Sequence, residues 1–295
     1  MKRSLALLLS AGAFSAFAQS TQIAIGDLAI VDPAHCCASV GGFVSAKLLI
    51  LDGTGALRRD PGLIASAIVL GPNGHVFAGI GATLTEYDES LRRLWTWSSS
   101  AQRDNVLSLA YASNGNVYAL TDNSDVIEFS ADRSSTRRIA LPGVGFPVAK
   151  AGIDLAGDNC TLYYFDHAAA IQRYDICSGN ALAPLVPGRA FESFRVLADG
   201  GVVAARNESL EFYDRDGHLL KSIVVTGAPA VSISFDVDPA YVWAGVPLFI
   251  AKVRISDGTI VRSVPRLLDV IAVRGEWRPA SVDITGSVRK RGARH

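Results

Sequence analysis

The side chains with the most chemistry to offer lie in short polar segments between apolar stretches of the chain. They are acids, bases and amides, namely Arg103, Asp104, Asn105, Asp122, Asp125, Lys150, His167, Arg189, Glu192, Asn207 and Glu208. Such a mixture can hold a polar ligand or a charged protein surface through ion pairs and hydrogen bonds. Taken singly, each residue fits a solvated loop position better, so only a fold that gathers them makes them a candidate site.

No catalytic spacing connects these residues. The sequence has no glycine-rich phosphate loop, no H-E-x-x-H motif and no G-x-S-x-G nucleophile turn. The segment Asp214–Gly217 resembles the start of a calcium-binding loop, but it lacks the third ligand and the distal glutamate of that loop, so a tight turn is the better interpretation. The sequence therefore assigns no catalytic or metal-binding residue and favours a non-enzymatic role.

Turn signals recur along the chain at a nearly constant spacing. They occur at Asn73-Gly74, Asn114-Gly115, Asp158-Asn159, Asp199-Gly200 and Asp238-Pro239, at intervals of 41, 44, 41 and 39 residues. Each pair follows a short apolar segment and precedes a β-rich one, and a second polar turn comes one strand later. A period near 40 residues is typical of β-propellers.

The repeat predicts an all-β fold, a six-bladed β-propeller of four-stranded antiparallel blades. The portions that hold the second to fourth strands of a blade (B, C and D) begin near residues 38, 75, 116, 160, 201 and 241, with five first strands (A) between them. The sixth A strand is expected at Leu268–Val273, so that one blade mixes N- and C-terminal strands and closes the ring. Two β-sandwiches would explain the alternation of apolar residues but not the period.

In such a ring the D–A loops and the B–C turns lie on one side, which we call the loop face. The polar residues of the first paragraph all fall in these loops, where strand ends aim side chains at a shared concavity. The sequence therefore predicts a non-catalytic module that binds an unknown protein or small-molecule ligand there. No cofactor is predicted for this function.

The N-terminus has the features of an export signal. Lys2 and Arg3 precede the apolar run Leu5–Leu9, and a small-x-small pattern ends at Ala18. An uncleaved membrane anchor is the alternative for this segment. We expect a signal peptide at 1–18, a lead-in segment at 19–37, the propeller at 38–278 and a basic, disordered tail at 279–295. The expected location is the periplasm or the extracellular space, without stable membrane insertion.

The charge balance argues against a nucleic-acid partner. The chain has 28 basic and 28 acidic residues, and loss of Lys2 and Arg3 with the signal leaves a net charge of about −2. A basic cluster at 289–294 is interpreted as a solvated tail, with an anionic surface as its alternative partner. A monomer is expected.

Four cysteines in an exported chain permit three pairings, and a hairpin register favours one of them. If the chain turns at His167–Ala170, residues whose numbers add up to about 337 face each other, which places Cys160 opposite Cys177 at a distance suited to a disulfide. The adjacent Cys36 and Cys37 are left as a strained vicinal bond, free thiols or a link between chains. A metal site there would need more ligands than the neighbouring His35.

Several stretches carry a family resemblance: Asp158–Tyr164 with Ile171–Gly179, then Leu197–Ala204, and the terminal Val270–Glu276. They resemble the NHL-like six-bladed propellers of secreted and periplasmic proteins, which are related in architecture to the SMP-30/gluconolactonase group. The resemblance covers roughly residues 38 to 278 and implies the fold. It carries no shared catalytic motif.

The same resemblance implies an alternative function, that of a metal-dependent lactone or ester hydrolase. Enzymes of the SMP-30 type hold a divalent cation at the propeller axis, where it acts as a Lewis acid toward a carbonyl. In this chain calcium or another divalent cation would be bound by Asp104, Asn105 and Asp154, with His167 as base. If these carboxylates converge at the axis, the enzyme is favoured. If they do not, the binding module is favoured.

Overall fold

Strands and tight turns alternate along the chain, as the repeat requires. The computed structural model describes residues 22–32, 38–40, 43–101, 104–144, 151–166, 168–225, 230–246, 248–265 and 270–276. These residues form strands β1 to β26 and contain no helix. The described part of the chain thus includes no helix that is long and apolar enough to cross a membrane.

Five sheets of four strands and one of six, in which short strands extend the four-stranded plan, form the six blades and confirm the predicted six-bladed propeller. Blade 1 is β26 (Val270–Val273), β1 (Leu28–Asp32) with β2 (Ala38–Val40), β3 (Phe43–Leu51), and β4 (Leu57–Arg59) with β5 (Ile64–Ala65). Blade 2 is β6 (Ala67–Leu70), β7 (Val76–Ile80), β8 (Thr83–Tyr87) and β9 (Arg93–Ser98), and blade 3 is β10 (Val106–Tyr111), β11 (Val117–Thr121), β12 (Asp125–Phe129) and β13 (Thr136–Ala140). Blade 4 is β14 (Ile153–Leu155), β15 (Thr161–Phe165), β16 (Ile171–Asp175) and β17 (Asn180–Leu182), and blade 5 is β18 (Ser193–Val196), β19 (Val202–Arg206), β20 (Ser209–Tyr213) and β21 (Leu219–Val224). Blade 6 is β22 (Ser232–Phe235), β23 (Tyr241–Val246), β24 (Phe249–Arg254) and β25 (Ile260–Pro265).

Blade 1 combines strands from the two ends of the chain. Strand β26 pairs antiparallel with β1, from Leu28 opposite Val273 to Val31 opposite Val270. On its other side β1 pairs with β3. The inner strand of this blade is therefore the C-terminal one that the sequence predicted.

The predicted start of the ring at residue 38 is wrong by one strand. The B strand of blade 1 is β1, which lies inside the segment expected to be a lead-in, and all five of its residues are buried. The strand β2 that begins at Ala38 only prolongs the B–C hairpin of blade 1, where it pairs with the first residues of β3. A central strand needs apolar residues on both sides, and Leu28-Ala29-Ile30-Val31 supplies them.

The core consists of apolar clusters, one at each seam between neighbouring blades. Because successive side chains of a strand point to opposite faces, one strand contributes to two seams. In β1, Leu28 and Ile30 join the cluster of Trp243 in blade 6, whereas Ala29 and Val31 join that of blade 2. The outermost D strands of blades 2 to 4 are largely exposed.

The repeated polar turns lie together on the side opposite the loop face, which we call the turn face. The A–B turns of blades 2 to 6 each contain an Asx side chain that accepts a hydrogen bond from the backbone N–H two residues later: Asn73, Asn114, Asp158, Asp199 and Asp238. In every blade an aspartate does the same at the C–D turn: Asp52, Asp88, Asp132, Asp175, Asp214 and Asp257. These local bonds explain why the turn signals recur in the sequence.

The six C–D turn aspartates share a lowered pKa. Backbone N–H groups of the turn, together with a hydroxyl or, at Asp88, the Arg92 guanidinium, donate hydrogen bonds that stabilise each carboxylate. At Asp214 burial acts in the opposite direction, but the hydrogen bonds together outweigh it and the pKa is still lowered. The pKa falls to about 2 in Asp132 and in Asp257.

The predicted disulfide between Cys160 and Cys177 is present, with the two Cα atoms 5.3 Å apart. The register that suggested it is off by one residue, because Phe165 faces Ile171 and the paired numbers add up to 336. The turn starts one residue earlier, at Asp166, whose backbone N–H donates to the Ala170 carbonyl at 3.1 Å. The disulfide therefore links Cys160 to the residue after its ladder neighbour.

Candidate functional site

The inner edges of the A strands surround the axis, and no fifth strand covers their backbone groups in the described part of the ring. Side chains from the preceding blade bond to them instead. Ser66 Oγ donates to the Val106 carbonyl (3.0 Å), Ser108 Oγ accepts from Ile153 N (3.3 Å), Asp154 Oδ2 accepts from Val196 N (2.9 Å), Ser193 Oγ donates to the Ala230 carbonyl (2.9 Å) and Ser232 Oγ accepts from Ile271 N (3.0 Å). These bonds join successive blades from blade 2 round to blade 1 and satisfy groups that would otherwise be unpaired.

At the loop face the axis opens into a small polar cavity of about 120 Å³. All six blades line it, mostly through the first residues of their A strands. Glu192 and Arg195 are its charged side chains, and Ser108, Ser193 and Ser232 add hydroxyls. Drug-sized ligands need about 300 Å³ or more, so the opening fits a single inserted side chain or a small polar group.

Beside this opening, the groove between blades 2 and 3 holds an ion-paired cluster. Asp104 is completely buried, and its two carboxylate oxygens accept hydrogen bonds from Arg138 at 2.9 and 2.8 Å. Arg138 also bonds Asp125 at 2.6 Å, and Ser99 donates to Asp104. Arg138 and Ser99 lower the pKa of Asp104, while the two carboxylates raise the pKa of Arg138. Asp104 thereby fastens the D–A loop to the outer strand of blade 3.

The neighbouring Asn105 pairs with Asp122 and so joins the D–A loop to the B–C turn of blade 3. Asp122 is buried and accepts from the backbone N–H of Asn105 at 2.9 Å and from its Nδ2 at 2.7 Å. We refer to Asp104 and Asp125 with Arg138 as the acidic cluster. Its carboxylates outnumber its guanidinium by one.

Asp154 belongs to a separate network on the axis itself. It lies 3.1 Å from Arg195 Nε, and its carboxylate accepts the backbone N–H groups of Val196 and Leu155. Arg195 also pairs with Glu276, which accepts from Ser234 Oγ at 2.9 Å. The network connects blades 4, 5, 6 and 1 across the axis.

The residues considered for a catalytic cation are thus divided between two networks. Asp104 and Asn105 lie in the groove between blades 2 and 3, whereas Asp154 is on the axis. Within the described residues, neither Asp104 nor Asp154 joins a group of three His, Cys, Asp or Glu ligand atoms close enough for one metal ion. His167, the expected base, lies outside the described residues.

In the described part of the chain, two groups of three ligand atoms do lie close enough together for one metal ion, and both are on the turn face. Cys160 and Cys177 with Asp175 form one, but the two sulfurs are already joined. Asp214, Asp216 and His218 form the other, at the turn that resembled a calcium loop. There Asp214 accepts from the backbone N–H groups of Asp216 and His218, so its role is to shape the turn.

The groove between blades 4 and 5 holds a second charged cluster, in which positive charges outnumber negative ones. Glu211 is buried between Arg189 Nη1 at 3.4 Å and Arg206 Nη1 at 3.7 Å, and it accepts a hydrogen bond from Tyr213. Arg189 Nη1 also donates to the Tyr213 oxygen at 2.9 Å. Burial and Glu211 raise the pKa of Tyr213 to about 12, so the phenol stays protonated. We call Arg189 and Arg206 the basic pair.

The structure thus brings some predicted site residues together and leaves others apart. Asp104 and Asp125 share Arg138, while Glu192 lines the axial cavity and Asn207 and Glu208 form the exposed B–C turn of blade 5. Sequence reasoning missed Arg206, although it directly precedes that turn, and it missed Arg138, Arg195 and Glu211, which lie in strands. The residues outside the described part are Arg103, Lys150, His167, Cys36 and Cys37.

A larger cavity, of about 460 Å³, lies at the other end of the axis, on the turn face. The last residues of four A strands form it, with Leu70, Tyr111, Leu155 and Val273 in a largely apolar lining. Its size is within the range of small-molecule sites. The larger of the two cavities is therefore on the turn face, whereas the sequence predicted binding at the loop face.

Comparison with known proteins identifies the fold alone. No family model matches the chain, and no curated protein matches it. A solved structure of a protein of unknown function from Bacteroides caccae is 10% identical with a TM-score of 0.65, over 84% of this chain and 98% of that one. A structure of U3-55K (13% identity, TM-score 0.55) and one of the RRP9 WD40 repeats (13%, 0.54) each cover 70% of this chain. The matches span 66% and 65% of those two chains, just under two thirds of their length.

Proposed function

We propose that this chain is an exported, non-catalytic binding module that engages a polar partner through its loop face. The observation that carries the proposal is the pair of charged clusters of opposite balance in two grooves of that face. Rigid scaffolds commonly present binding groups in this way, on loops held by a closed core. Complementary charge in such clusters gives orientation and speed of association.

The bonding of the loop-face carboxylates supports binding over hydrolysis. A catalytic cation needs free carboxylate oxygens as ligands, whereas Asp104 is engaged by Arg138 and Asp154 by backbone N–H groups and Arg195. The disulfide supports an oxidising compartment and hence export. The NHL-like relationship remains part of this proposal.

Site-specific crosslinking tests the choice of face. A photoreactive residue would replace Glu208 on the loop face or, as the matched control, Asp216 on the turn face, both of which are exposed. In cells that make the chain with its own N-terminus, we expect a discrete adduct from position 208 and none from position 216. Adducts from position 216 alone, or from neither position, would contradict the proposal.

Metal analysis of the purified protein tests the hydrolase alternative. Stoichiometric calcium or zinc, together with lactone hydrolysis that is lost on chelation, would replace the binding function by the enzymatic one. We expect neither.

A further inference from the structure

We infer that the basic pair, Arg189 and Arg206, anchors a carboxylate side chain in an acidic segment of a partner protein. The inference rests on the proposed function and names the chemistry of its partner. The pair sits where the D–A loop before blade 5 meets the end of β19, at the loop-face end of the groove between blades 4 and 5.

The first argument is that the hydrogen-bond donors of the pair are largely unused. The contacts to Glu211, at 3.4 and 3.7 Å, are longer than a normal charged hydrogen bond of about 2.7 to 2.9 Å. Among the described residues, the Arg189 side chain donates only through Nη1, and the Arg206 side chain makes no hydrogen bond. A guanidinium has five N–H donors in a fork that matches a carboxylate.

The second argument is charge. Two guanidiniums, those of Arg189 and Arg206, face the single carboxylate of Glu211. The protonated Tyr213 adds no charge, so the cluster carries one positive charge in excess. Glu208, the nearest acid along the chain, forms no ion pair in the described part of the structure. An additional carboxylate therefore restores neutrality without displacing an existing partner.

The third argument is access. Each arginine side chain is 41% exposed, so an incoming group can reach it without movement of the backbone. The same exposure argues against a free anion as the ligand, because exposed ion pairs gain little in water. A partner surface that covers the groove excludes water and strengthens the pairing.

The test compares the wild type with Arg189→Gln/Arg206→Gln. The probe is a fluorescein-labelled decapeptide of alternating Glu and Ser, with a Gln-for-Glu peptide as the neutral probe. The matched control protein is Arg92→Gln/Arg215→Gln, which removes the same charge from turn-face arginines that are 80% and 74% exposed. Fluorescence anisotropy at low and at physiological salt gives the dissociation constants.

We expect the wild type and the control to bind the Glu peptide in preference to the Gln peptide. The double variant should bind it several-fold more weakly, up to about 25-fold, with a shallower salt dependence, since each lost ion pair contributes up to about fivefold. Thermal melts establish that the variants are folded. Arg206→Gln alone, which breaks no described hydrogen bond, should already weaken binding.

Three results would overturn the inference: no binding of the Glu peptide by the wild type, equal binding by wild type and double variant, or competition by sulfate at the same concentration of charge. The last would identify a site for free oxyanions. If the crosslink from position 208 persists in the double variant, the loop-face function stands and only the basic pair is refuted. If the peptide binds but position 208 yields no adduct, the proposed function fails instead.

Discussion

Replacing Arg138 by methionine tests whether charge holds the D–A loop between blades 2 and 3 in place. The methionine keeps the apolar stem but removes the guanidinium that both Asp104 and Asp125 contact. Asp104 would keep only the hydroxyl of Ser99, and Asp125 only that of Thr121. A carboxylate without exposure to water would be left without a countercharge.

The expected loss of unfolding free energy is about 3 kcal/mol. Removing one partner of a buried ion pair costs about 3 to 5 kcal/mol, and Asp104 is completely buried. The Arg138 side chain is 43% exposed, so water can replace part of its contribution, which favours the lower end of the range. Arg138 keeps the pKa of Asp104 below its ordinary value, so this contribution is present above that value and is lost as the pH falls through the lowered one.

Urea unfolding followed by circular dichroism at pH 7 and at about pH 2.5 gives the comparison, because the contribution is lost only below the ordinary pKa of Asp104. The control is Arg92→Met, whose side chain is 80% exposed and whose removal should cost at most about 1 kcal/mol. Adding Asp104→Asn to Arg138→Met should recover part of the loss, since it removes the unpaired charge. A cost for Arg138→Met no larger than that of the control, or no recovery in the double variant, would refute the reasoning.

Three further predictions concern stability. Gly217→Ala, at φ +86° where an added methyl carbon would lie only 1.9 Å from the Leu185 carbonyl oxygen, should cost at least about 3 kcal/mol in urea unfolding, against about 1 for Gly62→Ala, which has a positive φ but open space. Removing the disulfide by Cys160→Ser/Cys177→Ser should cost about 3 kcal/mol, from the separation of 17 residues between the cysteines. The C–D turn aspartates should make the thermal midpoint fall between about pH 4 and 2, because their stabilisation exists above the unfolded pKa and disappears through the lowered folded one.

Each of these has an outcome that would contradict it. Equal stability of the two glycine variants would mean that the Leu185 carbonyl moves away freely. A double serine variant as stable as the wild type would mean that the disulfide does not stabilise the folded ring. A midpoint that is constant down to pH 2, or unaltered by Asp257→Asn in that range, would remove the turn carboxylates from the acid response.

The fold was predictable where its determinants are local. An Asx-Gly turn forms through bonds within four residues, so Asn73, Asn114 and Asp199 could be read as turns without knowledge of the rest of the chain. Counting strands between such turns then required a last A strand near Val270. The start of the ring was misplaced because β1 has no preceding turn of the repeated type and its B–C hairpin is prolonged by β2.

The candidate site was less predictable because its partners are remote in sequence. Asp104 meets Arg138 across 34 residues, and Arg189 meets Glu211 across 22. Neither contact follows from the repeat period, since each depends on which neighbouring blade a side chain points toward. A one-residue shift in register, like the one found at Cys160, exchanges those faces. Loop position could nominate Asp104 and Arg189, but their bonding needed the folded ring.

Strand β26 is the last element of the ring to leave the ribosome, yet it pairs with β1, the first. Until Val273 has been made, the inner side of β1 has exposed backbone groups and blades 2 to 6 can form only an open arc. A chain that stops before Val273 leaves the inner edge of β1 unpaired, and such an edge can pair with another chain. The pairing of β26 with β1 therefore distinguishes chains that include Val273 from chains that stop before it.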